Sequence, residues 1–172
     1  MTDPTRDERQ ETAPVRQILE DGDLVGAARY LAESVHAHQV DRAGEPYIGH
    51  VSGVAGYVTE GGGTKEAVAV AWLHDTIEDT WVEEDYLVAV GFPANVVSAV
   101  VAISKEEGES DSSYASRVAA SPLATEVKWS DLRSNRQVRR LALLSPETRR
   151  RLVAKYNRFE AALRRELSAN LG

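Results

Sequence analysis

The 172-residue sequence contains no cysteine. That excludes a disulfide framework, a thiolate nucleophile and any cysteine-ligated zinc or iron–sulfur site, so a metal would have to be held by histidine and carboxylate. Net positive charge is also missing: the formal charge is −7, which argues against a general binder of nucleic-acid backbone. No apolar run approaches a membrane span, and the opening MTDPTRDERQETAP has no apolar core of a signal peptide. Strand-like alternation, internal repeats and low-complexity segments are absent as well. The expectation is a cytoplasmic protein that neither enters a membrane nor binds nucleic acid. What is present is globular in balance, 42% hydrophobic and 27% charged, at a length that suits one domain.

Helical periodicity dominates the chain. Residues 1–14 read as a flexible tail, with the domain running from 15 to 172. Leu24, Ala27, Ala28, Leu31, Ala32 and Val35 recur at helical spacing, predicting a helix to about Gln39. A turn-like segment, Asp41 to Pro46, leads into a second helix carrying Ile48, Val51, Val54, Ala55 and Val58, which Gly61-Gly62-Gly63 ends. Lys65 to Leu73 is apolar on nearly every side and belongs in the core. Shorter helices come next around Glu83 to Val90, Pro93 to Ile103, Tyr114 to Ala119 and Leu123 to Arg136, with Ser104 to Ser113 a polar surface loop. Ser145 and Pro146 make an N-cap and first turn for a last helix to about 168. The fold class is all-α, a single helical domain.

Chemistry concentrates in HDTIEDT, residues 74–80, where His74, Asp75, Glu78 and Asp79 end an otherwise apolar helix. Acids at a helix C-terminus oppose its dipole, and ionised groups beside a core need partners or a cation. A divalent ion would need further ligands from elsewhere. His50 sits one turn into the helix after Pro46, with the apolar neighbours Ile48 and Val51. Asp131 is the one acid of its helix expected to face inward, either toward the ion or paired with Lys128 or Arg133. Tyr47, Trp72 and Trp129 read as core aromatics, and His36 and His38 as exposed or capping histidines. The arginines at 149–151 and 164–165 read as a solvated helix face.

Four spaced blocks carry a family resemblance: HxxQxxRxGEPYIxH (His36 to His50), AxLHDTIEDT (Ala71 to Thr80), GFPxxVVxxVxxISK (Gly91 to Lys105) and VKWSDLRSN (Val127 to Asn135). Together, over about residues 24–136, they resemble the HD-domain phosphohydrolases, and within them the hydrolase domain of the RelA/SpoT homologues and the small alarmone hydrolases. The resemblance implies a manganese ion held by His50, His74, Asp75 and Asp131, with Glu78 and Asp79 as the acid–base pair. It implies removal of the 3′-pyrophosphate of ppGpp or a related alarmone nucleotide. No covalent residue is required for such a transfer, which needs positioning and neutralisation of charge.

The blocks also depart from the family pattern. Where the family commonly has arginine then lysine before Gly-Glu-Pro-Tyr, the arginine packing on guanine, this chain has Asp41 then Arg42. A carboxylate does not stack as a guanidinium does, so base identity stays open. Arg42 is a candidate phosphate contact or an exposed loop arginine. Asp-Arg-Leu-His-Asn of the family is Asp131-Leu132-Arg133-Ser134-Asn135 here, which turns the basic residue through about 100° on the helix. Asn135, one turn beyond Asp131, is a candidate for ribose or the leaving phosphate, or a surface amide. Competing readings are a nucleotidase of the same fold acting on another small nucleotide, and a nucleotide sensor without turnover. A small nucleotide is the expected partner, and self-association is left open.

Overall fold

The computed structural model describes residues 6–170, with side chains from Thr12 onward. They form eleven helices: α1 Arg6–Glu20, α2 Leu24–Val35, α3 Ile48–Glu60, α4 Lys65–Leu73, α5 Thr76–Asp79, α6 Glu84–Val90, α7 Ala94–Ile103, α8 Asp111–Ala119, α9 Pro122–Asn135, α10 Val138–Ala142 and α11 Pro146–Ala169. One isolated β-bridge, Val40 to Pro46, pinches the turn before α3. The all-α expectation holds. No helix among the described residues is long and apolar enough to cross a membrane.

Helix α4 is the axis of the molecule. Thr64 caps it by accepting from the Ala67 amide at 3.2 Å, and Ala67, Ala69, Val70, Ala71, Trp72 and Leu73 are all buried. The small side chains of Ala67, Ala69 and Ala71 let α2, α3, α7 and α9 pack close around it. Truncating Leu73, fully buried, should cost about 2–5 kcal/mol. Because α4 is enclosed, the residues just past its last turn are delivered into the interior, and those residues are His74 and Asp75.

The N-terminal expectation needs correction. α1 begins at Arg6, inside the segment read as a tail, and residues 1–5 lie outside the described residues. Val15 is fully buried, Ile18 and Leu19 pack on the same core, and Arg16 Nη2 donates to the Ala89 carbonyl at 3.0 Å. This stripe docks α1 on α2 and α6. Only three apolar residues carry it, too few to stand out beside the charges that precede them. α2 stops at Val35 rather than Gln39, and the turn after it is closed by Gly44 at φ +83°, a backbone conformation that favours glycine. The polar 104–113 segment is shorter as a loop than expected, since Ser110 caps α8 by accepting from Ser113 N at 3.1 Å.

Candidate active site

Three helices that pack on one another supply the cluster. His50 stands in the first turn of α3, His74 comes directly after α4, and Asp131 lies in α9; all three are buried. Hydrogen bonds to the outer ring nitrogens fix both imidazoles. His74 Nδ1 donates to the Ala71 carbonyl at 2.7 Å, which turns Nε2 toward Asp75 and Asp131. His50 Nδ1 meets Ser134 Oγ at 3.0 Å and likewise presents Nε2 inward. Asp131 Oδ1 stands 3.2 Å from His50 Nε2 and 4.0 Å from His74 Nε2, and Asp75 Oδ2 stands 3.7 and 2.9 Å from the same atoms.

These separations suit one cation. Metal bonds of about 2.0–2.2 Å place the ligand atoms of a single ion roughly 3–4 Å apart, and one ligand atom each from His50, His74 and Asp131 lies within 4.8 Å of the others. His74 Nε2 is shielded from solvent with no hydrogen-bond partner, despite its closeness to Asp75. An orphaned, buried imidazole nitrogen facing two carboxylates fits a divalent ion better than it fits an apolar core. Electrostatics agree: burial pushes the His74 imidazole down, but Asp75 and then Asp131 outweigh it and hold it at about 9. The two carboxylates therefore favour positive charge at this spot.

Each carboxylate is held by neighbours. Asp131 Oδ2 accepts from Lys128 Nζ at 2.8 Å, and Oδ1 accepts from Asn135 Nδ2 at 2.5 Å. Burial opposes ionisation of Asp131, yet the Lys128 charge and His50 keep its carboxyl well below the ordinary range. Spacing alone leaves Asp131 either facing an ion or paired with Lys128 or Arg133; Oδ2 pairs with Lys128 while Oδ1 faces the two imidazoles. Asp75 accepts from the Tyr47 hydroxyl at 2.6 Å, and burial, together with the Asp75 charge, pushes that phenol far up.

Glu78 and Asp79 stand at the rim on α5, more exposed than the ligand set. Glu78 Oε2 accepts from the Lys105 amide at 2.9 Å. Asp79 Oδ2 accepts from Gln39 Nε2 at 3.4 Å, and His36 Nδ1 donates to Gln39 Oε1 at 2.6 Å. Partial burial raises both carboxyls, with the Asp75 charge adding to the shift. The expectation of an exposed or capping His36 is corrected: the residue is 1% exposed, wedged beside Tyr47 with ring centroids 5.4 Å apart. His38 is exposed, as expected.

The cluster opens into a cavity of about 370 Å³ lined by Asp75, Glu78, Asp79, Asn135, Tyr156 and the cations Arg42, Lys105, Lys128, Arg140 and Lys155. Asn135 lines it while bonded to Asp131. Arg133 does not line it; its guanidinium lies 3.8 Å over the Tyr57 ring. Sequence reasoning missed Lys105, Lys128, Arg140 and Lys155 as cavity residues. Lys128, three residues before Asp131, and Lys105, which ends the GFPxxVVxxVxxISK block, carry a signal; nothing in the spacing brings α10 or α11 to this cavity.

Comparison with known proteins adds an independent line. A probable guanosine-3′,5′-bis(diphosphate) 3′-pyrophosphohydrolase of Synechocystis sp. is 31% identical over 140 residues, 76% of this chain and 18% of that protein. A probable GTP pyrophosphokinase of Mycobacterium leprae is 32% identical over 136 residues, 74% of this chain and 17% of that one. The chain thus spans less than a fifth of the curated relatives it matches. Among solved structures, a metazoan orthologue of SpoT described as hydrolysing ppGpp superposes with a TM-score of 0.65 at 19% identity, over 95% of this chain and 89% of that one. At that identity the likeness speaks for the fold. Residues 28–157 match the family described as HD domain. A match that long, running through all three helices that supply the cluster, means that the protein belongs to the HD domain family.

Proposed function

We propose that the protein is a Mn²⁺-dependent hydrolase that releases pyrophosphate from the 3′ position of (p)ppGpp or a closely related alarmone nucleotide. The observation that carries the reading is the convergence of two hydrogen-bonded imidazoles and two carboxylates at the floor of a cleft that also holds five cations. His50, His74, Asp75 and Asp131 would hold the ion, and nitrogen and oxygen donors in that ratio suit manganese. When bound, such an ion polarises a phosphoryl oxygen and acidifies water.

The chain's own residues do the rest. Glu78, fixed by the Lys105 amide, takes the proton from the attacking water, and Asp79 across the rim returns a proton to the leaving oxygen. Their raised carboxyls move them toward the range in which a carboxylate exchanges protons near neutrality. Arg42 and Lys155, which form no ion pair among the described residues, are free to neutralise phosphate. Asn135, by bonding Asp131, orients a ligand carboxylate. The name of the Synechocystis relative and the activity described for the metazoan structure support the substrate class, and the acidic net charge supports a small nucleotide, met in the cytoplasm, over nucleic acid.

Purified protein with Mn²⁺ should release pyrophosphate from ppGpp, pppGpp or their adenine counterparts; release from none of them removes the reading. A nucleotidase of the same fold is the second reading, favoured by Asp41 where the family has arginine. Turnover of nucleoside monophosphates in preference to all of these would select it. The rim carboxylates speak against a sensor without turnover, which would have no use for them.

A further inference from the structure

The end of α7 is held more completely than a surface helix terminus requires. A helix leaves its last carbonyls without partners of its own, and here α8 supplies most of them. Arg117 Nη1 donates to the Val101 carbonyl at 2.5 Å and to that of Ala102 at 3.4 Å, and the Tyr114 hydroxyl donates to that of Ile103. Ser104 Oγ completes the set by donating to the Val100 carbonyl at 2.8 Å. A guanidinium at this place also meets the negative end of the helix dipole.

The same guanidinium reaches the far side of the loop that follows. Its Nη2 donates to Glu109 Oε2 at 2.5 Å, and that oxygen also accepts from the Glu106 amide at 3.1 Å. The Glu109 side chain is 8% exposed, so the pair is partly withdrawn from water and less screened than an open surface pair. Residues 105–109 are thereby stapled at both ends, with Gly108 turning the chain at φ +76°. One backbone group of this staple points at the cleft: the Lys105 amide donates to Glu78 Oε2 at 2.9 Å.

We propose that Arg117 is a positioning residue for Glu78: by tying the end of α7 to Glu109, it holds the Lys105 amide against the carboxylate that takes the proton from the attacking water. This rests on the reading of the cleft as a hydrolase site. Arg117 lies outside the cavity lining and acts through the loop. Loss of the amide bond has a signature in the proton chemistry. Burial raises the Glu78 carboxyl and the Lys105 amide lowers it, while Asp75 and Asp79 add to the rise and Lys128 opposes it; Glu84, Glu106 and Arg117 flank it in the adjoining cleft. Without the amide the upward influences gain, and the acid limb of kcat/KM, which requires ionised Glu78, moves to higher pH.

The full chain, loaded with Mn²⁺, is assayed on ppGpp, pppGpp and their adenine counterparts, and the variants on whichever is turned over fastest. R117M keeps a long side chain beside the Tyr114 ring but no donor; E109A opens the same staple and leaves the α7 carbonyls capped. Both should keep the wild-type Mn²⁺ content and KM, lose about tenfold in kcat and move the acid limb to higher pH. The two substitutions change the charge near Glu78 in opposite senses, so limbs that move in opposite directions, or that stay in place, would overturn the inference, as would a loss confined to KM. In a Glu78→Gln background neither should lower kcat further; a full additional loss there would overturn it too. If R117M does not fold, E109A decides alone by the direction of its limb. If no nucleotide is turned over, the hydrolase reading fails by itself, and NMR titration of the Glu78 carboxyl in the metal-free chain reads the positioning separately: an upward shift in both variants sustains it, and any other result removes it.

Discussion

The floor and the outer wall of the cleft are built by opposite means. The floor comes from α3, α4 and α9, which pack on one another around buried residues, and its candidate ligand side chains have assigned partners: Ala71 for His74, Ser134 for His50, Lys128 and Asn135 for Asp131. The wall comes from the 40–45 turn and α10, a helix with no buried residue, joined to each other by the Arg140–Asp41 pair. Geometry on the floor is set by the core and cannot change without unpacking it. On the wall a single substitution alters the surface without touching the core.

The floor breaks hardest at Asp131. In Asp131→Ala the cluster loses a ligand, and Lys128, whose side chain is 15% exposed, loses its counter-charge. Mn²⁺ content after gel filtration should fall to background, hydrolysis should drop by at least about a hundredfold, and urea unfolding should show a loss of about 3–5 kcal/mol from the stranded buried charge. Adding Lys128→Met should recover most of the stability and none of the metal. A single variant that unfolds at the wild-type midpoint would mean that the floor is not held by this pair.

Glu78→Gln probes chemistry without disturbing the floor. The amide oxygen can still accept from Lys105 N, so Mn²⁺ content should stay at the wild-type level while kcat falls about 10²- to 10⁴-fold. A pH profile sharpens the assignment. Partial burial raises the Glu78 carboxyl, and the ionised form is the one that takes a proton. The acid limb of wild-type kcat/KM should therefore lie above the ordinary glutamate value, activity falling as pH drops through it. An unchanged acid limb in Glu78→Gln would remove Glu78 from the proton path.

Legibility in the sequence divides along the same line. His74, Asp75 and Asp131 stand out because polar residues sit at fixed offsets in apolar helices, where burial of charge has few explanations, whereas their meeting with His50 is what the family resemblance implied, since the helices that carry them are far apart in sequence. Helices α3, α4, α7 and α9 are readable through their apolar periodicity. The α1 helix is not, because three apolar residues among charges give too little pattern. Arg140 is not readable at all. Its place depends on a contact with Asp41 across 99 residues, which no local periodicity encodes, and His36 looks like a turn residue because its burial comes from Tyr47 and Gln39 packing over it.

Between floor and wall lies the line from His36 through Gln39 to Asp79. Because His36 Nδ1 donates to Gln39 Oε1, the Gln39 amide group is left to face Asp79. Gln39→Leu removes both bonds at nearly constant volume. The expected result is a fall in kcat of about tenfold, with KM and Mn²⁺ content close to wild type, as for other residues that orient a working group. A change confined to KM would instead place Gln39 on the wall side of the comparison.

The smallest effect is expected at Val138 on α10, 83% exposed. Val138→Thr keeps the β-branched shape and removes only a methyl already in water, so the unfolding free energy should move by less than about 0.5 kcal/mol, with hydrolysis unchanged. Leu143, 61% exposed, stands close by in sequence, and Leu143→Ser should be nearly as silent. A substantial loss of stability at either position, one that grows on dilution, would mean that the wall is covered by a second subunit. Size-exclusion chromatography of both variants over a concentration series reads this directly: unchanged elution keeps the wall as a free surface, whereas a shift to smaller size would make it part of an interface.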